Sequence, residues 1–196
     1  MDVDWAAYYA AVSGRQPRPL FRRALEERGD SPPGAAVDLG SGDGTETLAL
    51  LGEGWRVRSI DAAPASAELI LDRVSDEHRP KLAVQTSSFE EADMGEADLV
   101  YAGLSLPFLD ASTFPLAWER IRAALRPGAI LAAHLFGPND TWAAEPGMTF
   151  HDRAAVEALL DGLEILALDE IDEDGAATSG PKHWHVFEVV ARQPTG

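Results

Sequence analysis

The sequence contains no cysteine, and this absence limits the chemistry that the chain can carry. Without thiols it has no disulfide, no thiolate nucleophile and no zinc site built on sulfur. Basic residues are also scarce, 16 against 33 acidic ones, and no stretch concentrates them, so the formal net charge is -17 at pH 7. Such a chain is a poor partner for a phosphate backbone or an anionic lipid surface. We therefore expect no nucleic acid and no membrane among its partners.

Long apolar runs are lacking as well. The longest covers 129–136, is far shorter than a bilayer span and contains His134. The first residues, 1–9, carry Asp2 and Asp4 and lack the basic start of a signal peptide. These features predict a cytoplasmic protein. The length of 196 residues suffices for one hydrophobic core but not for two ordinary domains, which predicts a single domain over 1–196.

Proline and glycine divide the chain into short segments with recognisable periods. Helical patterns over 5–11 and 20–28 predict an N-terminal helical extension over 1–30. Strands and helices then alternate, which predicts an α/β fold with a parallel sheet and right-handed crossovers. The predicted strands cover 35–37, 56–60, 82–86, 98–101 and 129–136, and the predicted helices cover 46–51, 65–74, 114–125 and 153–160. Two last strands, over 163–168 and 183–191, are joined by an acidic loop without a helix, so one of them must run antiparallel.

A glycine-rich turn follows the first predicted strand. Gly40, Gly42 and Gly44 have the spacing G-x-G-x-G, and Thr45 stands where a dinucleotide fingerprint needs its third glycine. The turn also lacks the lysine of a P-loop. Asp38 and Asp43 bring carboxylates to the turn, where a pyrophosphate would be repelled. The turn therefore suits a ligand without phosphate.

S-adenosylmethionine is such a ligand, because it carries an ammonium and a sulfonium against one carboxylate. Its net positive charge would meet Asp38, and the N–H groups at the start of helix 46–51 could receive its carboxylate. Asp61, at the end of the next predicted strand, could accept both ribose hydroxyls. The alternative for Asp61 is a helix cap. Ser88 and Phe89, after the third strand, could meet the adenine or could form an ordinary polar turn over a core ring.

The chain resembles class I S-adenosylmethionine-dependent methyltransferases, and more narrowly their small bacterial tellurite-resistance-like branch. The resemblance covers nearly the whole length and is carried by the glycine turn and by 105–109, 135–137 and 182–187, with Asp140 and Trp142. It implies a Rossmann-like, seven-stranded, mostly parallel sheet of order 3-2-1-4-5-7-6, with strand 7 antiparallel and helices on both faces. The start of strand 7 then lies at the ligand edge of the sheet, so residues 182–185 are expected near the methyl group.

The predicted site has three parts. The cofactor-binding residues are expected to be Asp38, Gly40, Ser41, Gly42, Thr45, Asp61, Ala62, Ser88, Phe89 and Ala102. The substrate-binding residues are expected to be Tyr8, Tyr9, Arg15, Leu104, Ser105 and Trp142, with the N-terminal helix as a lid or, alternatively, as plain packing. His183 and His185 share one face of a strand and are candidates for a catalytic base, the alternative being two strand histidines bonded to neighbours. A metal site is not expected, because spacing shows no third ligand.

The function that these features predict is methyl transfer from S-adenosylmethionine to an oxygen, nitrogen, sulfur or metalloid atom of a small molecule, by a monomer or a homodimer. In-line displacement on a sulfonium needs mainly orientation and exclusion of water. Two alternatives stay open. One is a module that senses S-adenosylmethionine without turnover, and the other is an aminopropyl transferase, against which the chain length argues.

Overall fold

The computed structural model describes residues 4–195, so Asp2 and both ends of the domain predicted over 1–196 lie outside the described part. Its α-helices are α1 (Trp5–Val12), α2 (Pro19–Arg28), α3 (Thr45–Gly52), α4 (Pro64–Arg73), α5 (Phe114–Ala124) and α6 (Arg153–Leu159). Its strands are β1 (Ala35–Leu39), β2 (Arg56–Asp61), β3 (Leu82–Thr86), β4 (Ala97–Ala102), β5 (Leu125–Phe136), β6 (Glu164–Ala177) and β7 (Gly180–Arg192). In residues 4–195, no helix has the length and apolar character that crossing a bilayer requires.

All seven strands form one sheet, of order β3-β2-β1-β4-β5-β7-β6. The pairs from β3 to β5 are parallel, whereas β7 runs antiparallel to both of its neighbours. The predicted topology, including the antiparallel seventh strand, is therefore confirmed. Because β7 is reversed, its first residues lie at the same edge of the sheet as the carboxyl ends of the parallel strands.

The sheet is covered on both faces by apolar side chains. On one face, Leu20 and Phe21 of α2 and Leu50 of α3 pack against Val57 and Tyr101 of the sheet. On the other face, helices α5 and α6 pack against β1, β4, β5 and β7. Strand β5 is buried over most of its length, as expected for a central strand covered from two sides.

The acidic run predicted as a loop is in fact strand, and this prediction was wrong. Strand β6 extends to Ala177 and pairs with β7 along the whole hairpin. Aspartate has a low intrinsic propensity for strands. Here, however, Asp172 pairs with His185 and Asp174 with His183 in the ladder, and opposite charges stabilise such cross-strand pairs. The acidic side chains also protect an edge strand from pairing with another chain.

The prediction was also wrong where helix 114–125 was expected to end. Leu125 already pairs with Ala97, so β5 begins four residues earlier than the apolar pattern suggests. The ladder then shifts register before Ile130 pairs with Leu99. Pro127 lies in this irregular stretch, where a residue without an N–H group costs no ladder bond.

Candidate functional site

The glycine turn joins β1 to α3 and needs glycine for two reasons. Gly40, Gly42 and Gly44 all have positive φ, between 54° and 77°. A Cβ on Gly40 would also overlap the Cβ of Ser105, whose hydroxyl donates to the Leu39 carbonyl at 2.7 Å. The turn is thereby held tightly against the loop after β4.

Replacing Gly40 by Ala tests how tightly the turn is held. We expect the free energy of unfolding to fall by about 2 kcal/mol or more, because the new methyl group meets both an unfavourable φ and an overlap. Gly14→Ala is the matched control, since Gly14 has φ 81° but nothing within 4 Å of its added Cβ. Urea unfolding should give a loss of only about 1 kcal/mol there. Equal losses of unfolding free energy in the two variants would show that the close approach of Gly40 to Ser105 contributes nothing to stability.

Asp61 lies at the end of β2, beside this turn, and its carboxylate is bonded on several sides. The backbone N–H groups of Gly42 and Ala63 donate to it at 2.9 Å and 2.8 Å. The Tyr9 hydroxyl donates to the same group and lies 3.2 Å from each oxygen. Burial raises the pKa of Asp61, against the opposing effect of these donors. The same burial, with the adjacent carboxylate, raises the pKa of Tyr9.

Three further carboxylates are buried around the turn. Asp38 is 2% exposed and accepts from the Thr47 hydroxyl at 2.6 Å, so its carboxylate is buried between the turn and α3. Glu46 and Asp43 both bind Arg15, which contacts Glu46 at 2.5 Å and 2.6 Å. Burial would raise the pKa of Glu46, but the bonds from Arg15 outweigh it and lower that pKa.

A carboxylate of the chain itself lies at the start of α3, where the sequence suggested that the carboxylate of the cofactor could bind. Asp43 accepts from the Thr45 hydroxyl at 2.5 Å and from the Thr45 N–H at 3.4 Å, so a carboxylate of the chain itself already occupies this helix end. Four buried carboxylates thus surround the turn, against two arginines: Arg15 binds Glu46 and Asp43, and Arg73 lies 4.0 Å from Asp43. The charge of the site suits a cation and repels a phosphate.

The other predicted cofactor residues lie beside the turn. Phe89 is buried, with its ring about 3.5 Å from a Cβ added to Gly40, and Ser88 precedes it in the same loop. The Ser41 hydroxyl accepts from the Ser59 hydroxyl at 2.7 Å and is bonded to the Ser66 hydroxyl at 3.2 Å, which anchors the turn to β2 and α4. Ala62 follows Asp61 at the surface, and Ala102 is buried at the end of β4. Leu104, in the next loop, has a φ of 58°, a strained backbone conformation of the kind that clusters at functional sites.

Aromatic residues of α1 link the turn to the loop after β4. Tyr9 is buried, and Trp5 stacks on it with ring centroids 6.0 Å apart. Trp5 also meets Phe108 edge-on at 5.0 Å. Tyr8 contacts both Trp5 and Tyr9 at 6.0 Å. The predicted substrate residues Tyr8 and Tyr9 therefore cover the same edge of the sheet as Asp61, and Arg15 lies behind them on Glu46.

The first residues of β7 divide between the two faces of the sheet. Lys182 and Trp184 share one face, and the Lys182 ammonium is buried on the Asp140 carboxylate. The rings of Trp142 and Trp184 lie 4.2 Å and 4.0 Å from this ammonium. Asp140 also accepts from the Trp142 N–H at 3.0 Å, so the ion pair fixes the loop after β5 to β7.

His183 and His185 point to the opposite face, because side chains alternate along a strand. His183 lies 2.7 Å from both Asp172 and Asp174, and these carboxylates raise its pKa. His185 accepts from the Asn139 N–H at 3.1 Å and lies 3.1 Å from Glu170 through its other nitrogen. Both rings are therefore fully bonded, an arrangement typical of structural histidines. Within residues 4–195, no group of three or more potential ligands is placed to hold a metal ion.

Sequence reasoning missed Glu46 and the bonded network of Asp140. Glu46 is the only charged residue of α3, and a single acid in an otherwise uncharged helix is a signal for a buried partner. Trp5 and Phe108 lie in segments that the sequence identifies only as a helix over 5–11 and a motif over 105–109. Their contact depends on how α1 crosses the sheet edge, which no local pattern encodes.

One contact in the structure resembles a contact that S-adenosylmethionine would make. A hydroxyl of the chain already lies on both oxygens of Asp61, as the hydroxyls of a ribose would. The surrounding carboxylates favour a ligand with a sulfonium and an ammonium. The residues that would hold the nucleoside are thus Asp61 and the glycine turn.

Comparison with known proteins agrees with this description. Residues 37–133 match a family model described as a methyltransferase domain. The carboxy-S-adenosyl-L-methionine synthase of Psychrobacter arcticus is 28% identical over 79% of this chain and 67% of its own length. Among solved structures, TehB from Haemophilus influenzae has a TM-score of 0.73 at 13% identity, covering 96% of this chain and 67% of TehB.

A third relative is the 1,6-didemethyltoxoflavin-N1-methyltransferase of Burkholderia thailandensis, solved with S-adenosylhomocysteine, with a TM-score of 0.67 at 20% identity over 90% of this chain and 77% of its own. At these identities the two structural likenesses are likenesses of fold. The matched family model thus gives a methyltransferase domain over residues 37–133, and the glycine turn and the fold shared with the two solved structures agree with it.

Proposed function

We propose that the protein transfers the methyl group of S-adenosylmethionine to a nucleophilic atom of a small molecule by in-line displacement. The observation that carries the proposal is the Asp61 carboxylate, which already accepts a hydroxyl on both oxygens beside the glycine turn. Asp61 holds the ribose. The protein backbone at Gly40 and Gly42 approaches the nucleoside closely, and Ser88 and Phe89 border the adenine. The site residues contribute by orienting the two reactants and by excluding water.

The acceptor in this proposal binds at the edge formed by α1, the loop after β4 and the loop after β5. Leu104 and Ser105 border the methyl group, while Tyr8 and Trp142 line the side away from the cofactor. Catalysis by His183 or His185 stays a prediction, and the bonding of their rings argues for a structural role instead. One structural relative, an N1-methyltransferase solved with 1,6-didemethyltoxoflavin bound, supports a small acceptor.

Turnover with radiolabelled S-adenosylmethionine and a panel of metabolites tests the function directly. We expect transfer of label to at least one acceptor. Tight binding of the cofactor with label transferred to none would favour the sensing module. A product enlarged by an aminopropyl group from the decarboxylated cofactor would favour the other alternative.

Binding of S-adenosylhomocysteine tests the role of Asp61. Saturating ligand should raise the melting temperature by mass action. In Asp61→Asn the affinity measured by calorimetry should fall at least about tenfold, because the two ribose hydroxyls lose a charged acceptor. Asp161→Asn, an exposed residue far from the turn, should bind as the unchanged protein does. Equal affinities of the Asp61 and Asp161 variants would restrict Asp61 to its bonds with Gly42 and Ala63.

The Tyr9 hydroxyl and a ribose would compete for the same carboxylate oxygens. In Tyr9→Phe the ring stays against Gly42 while the bond to Asp61 is lost. We expect the dissociation constant for S-adenosylhomocysteine to fall roughly fivefold, since release of one hydrogen bond of about 1 kcal/mol no longer opposes binding. Weaker binding by calorimetry would instead make the hydroxyl a contact to the nucleoside.

A further inference from the structure

The acceptor edge carries an aromatic band whose composition indicates the class of substrate. The rings are linked in sequence, with Phe108 and Trp142 at 6.0 Å, Trp142 and Phe136 at 6.0 Å, and Trp142 and Trp184 at 5.9 Å. The band consists of Trp5, Tyr8, Phe108, Phe136, Trp142 and Trp184. All of its members except Phe136 are only half-buried, so they keep surface for a ligand.

The band begins beside the cofactor site. Trp5 contacts Tyr9, and Tyr9 is bonded to the Asp61 carboxylate that would hold the ribose. From there the rings follow the edge of the sheet to the start of β7. A planar molecule lying on the band is therefore placed at the same edge as the methyl donor.

The charge of this edge excludes an anionic acceptor. Over residues 4–195, Lys182 is the only cation whose charged group lies over a ring of the band. Its ammonium is already paired with Asp140, and both side chains are at least 98% buried. An oxyanion such as tellurite would thus find no available countercharge, and the net charge of -17 would repel it. The rings favour a neutral planar molecule, which they can stack on.

The hydrogen bonds of His183 and His185 bear on which acceptor atoms can react without a base. Each ring nitrogen of His183 and His185 already has a partner, and both side chains lie on the face opposite Lys182 and Trp184. Neither residue is placed to remove a proton from an acceptor on the band. An acceptor atom that already carries a free lone pair at neutral pH needs no such base.

Resting on the proposed function, we propose that the acceptor is a neutral heteroaromatic compound with a pyridine-type ring nitrogen. The nitrogen lone pair forms the new bond to the methyl carbon, the carbon–sulfur bond breaks, and its electron pair stays on sulfur as the thioether. No proton is released. The positive charge passes from sulfur to the methylated ring, and those ring faces of the band that the Lys182 ammonium does not cover stabilise that cation as it forms.

A panel of acceptors tests this proposal in the full-length protein. Quinoline, isoquinoline and nicotinamide are compared with phenol, benzoate, tellurite and selenite, and products are read by mass spectrometry. We expect an N-methylated cation from at least one of the three heteroaromatics. Faster methylation of phenol, benzoate or a metalloid oxyanion than of every heteroaromatic would overturn the proposal.

Variants of the band separate its role from that of the cofactor site. Trp142→Leu should raise the KM for the heteroaromatic about tenfold and leave the dissociation constant for S-adenosylhomocysteine unchanged, whereas Trp142→Phe should retain most of the affinity. Leu116→Ala, an exposed position on α5, is the control and should match the unchanged protein. An unchanged KM in Trp142→Leu overturns the assignment of the band. Failure to bind S-adenosylhomocysteine at all overturns the proposed function itself, so the two failures are distinguishable.

Discussion

Asp140→Ala should lower the free energy of unfolding by about 3–5 kcal/mol, the largest effect that we expect from a single substitution. The change leaves the Lys182 ammonium buried without its carboxylate, and an unpaired buried charge is far more costly than the loss of an exposed pair. Burial already lowers the pKa of Lys182, against the opposing effect of Asp140. Without Asp140, Lys182 should lose its proton and the loop that carries Trp142 should detach from β7.

Urea unfolding followed by tryptophan fluorescence measures this effect. Lys182→Met should cost less, because Asp140 keeps the N–H donors of Trp142 and His185. The double variant should be more stable than the sum of the two single losses implies, since removing both charges leaves neither unpaired. Asp161→Ala, at an exposed position, should change stability by no more than about 0.5 kcal/mol. Additive losses in the double variant would contradict a coupled ion pair.

Most of the fold was predictable because its signals are local. Strand β3 was predicted with its observed bounds, and β1, β2 and β4 differ from prediction by one or two residues at their ends. These strands are short apolar runs between glycine, proline and polar turns, so the sequence around each one suffices. The strand order came from the resemblance and is confirmed. The prediction failed for the length of β6, because cross-strand partners outweigh the low strand propensity of aspartate. It also failed for the start of β5.

At the candidate site, the sequence predicted the position of Asp61 beside the turn but not its contact with Tyr9. Asp61 was placed beside the glycine turn by spacing, and the structure brings it within hydrogen-bonding distance of Gly42. By contrast, the bond from Tyr9 to Asp61 joins residues 52 positions apart, and nothing within either segment specifies it. Alternation along the predicted strand already placed the two histidines on one face, but all of residues 182–185 were expected near the methyl group.

Asp38→Asn should stabilise the protein at neutral pH, and this is the second large effect. Burial, with the adjacent Glu46, raises the pKa of Asp38 to about 7, against the opposing effects of Thr47 and Arg15. A carboxyl whose pKa is higher in the folded than in the unfolded state stabilises folding below the unfolded value. That stability is lost as pH rises from about 4 to about 7. The loss amounts to roughly 4 kcal/mol at most.

The asparagine variant removes this dependence, so its advantage in unfolding free energy should be absent near pH 4 and should grow to roughly 2–4 kcal/mol at pH 7.5. Urea unfolding at a series of pH values measures the difference, with Asp161→Asn as the control that should show none. Parallel curves for the Asp38 variant and the unchanged protein would mean that Asp38 is ionised at low pH in the folded state.

The same carboxyl should link cofactor binding to pH. A sulfonium near a buried, half-ionised carboxyl favours its charged form, so binding of S-adenosylmethionine should release a proton and strengthen several-fold between pH 5.5 and 7.5. S-adenosylhomocysteine lacks the sulfonium charge and should show a weaker dependence. Calorimetry in buffers of different ionisation enthalpy measures the released proton, and Asp38→Asn should abolish the difference between the two ligands. The charge that makes Asp38 costly to the fold would then be the charge that the cationic cofactor requires.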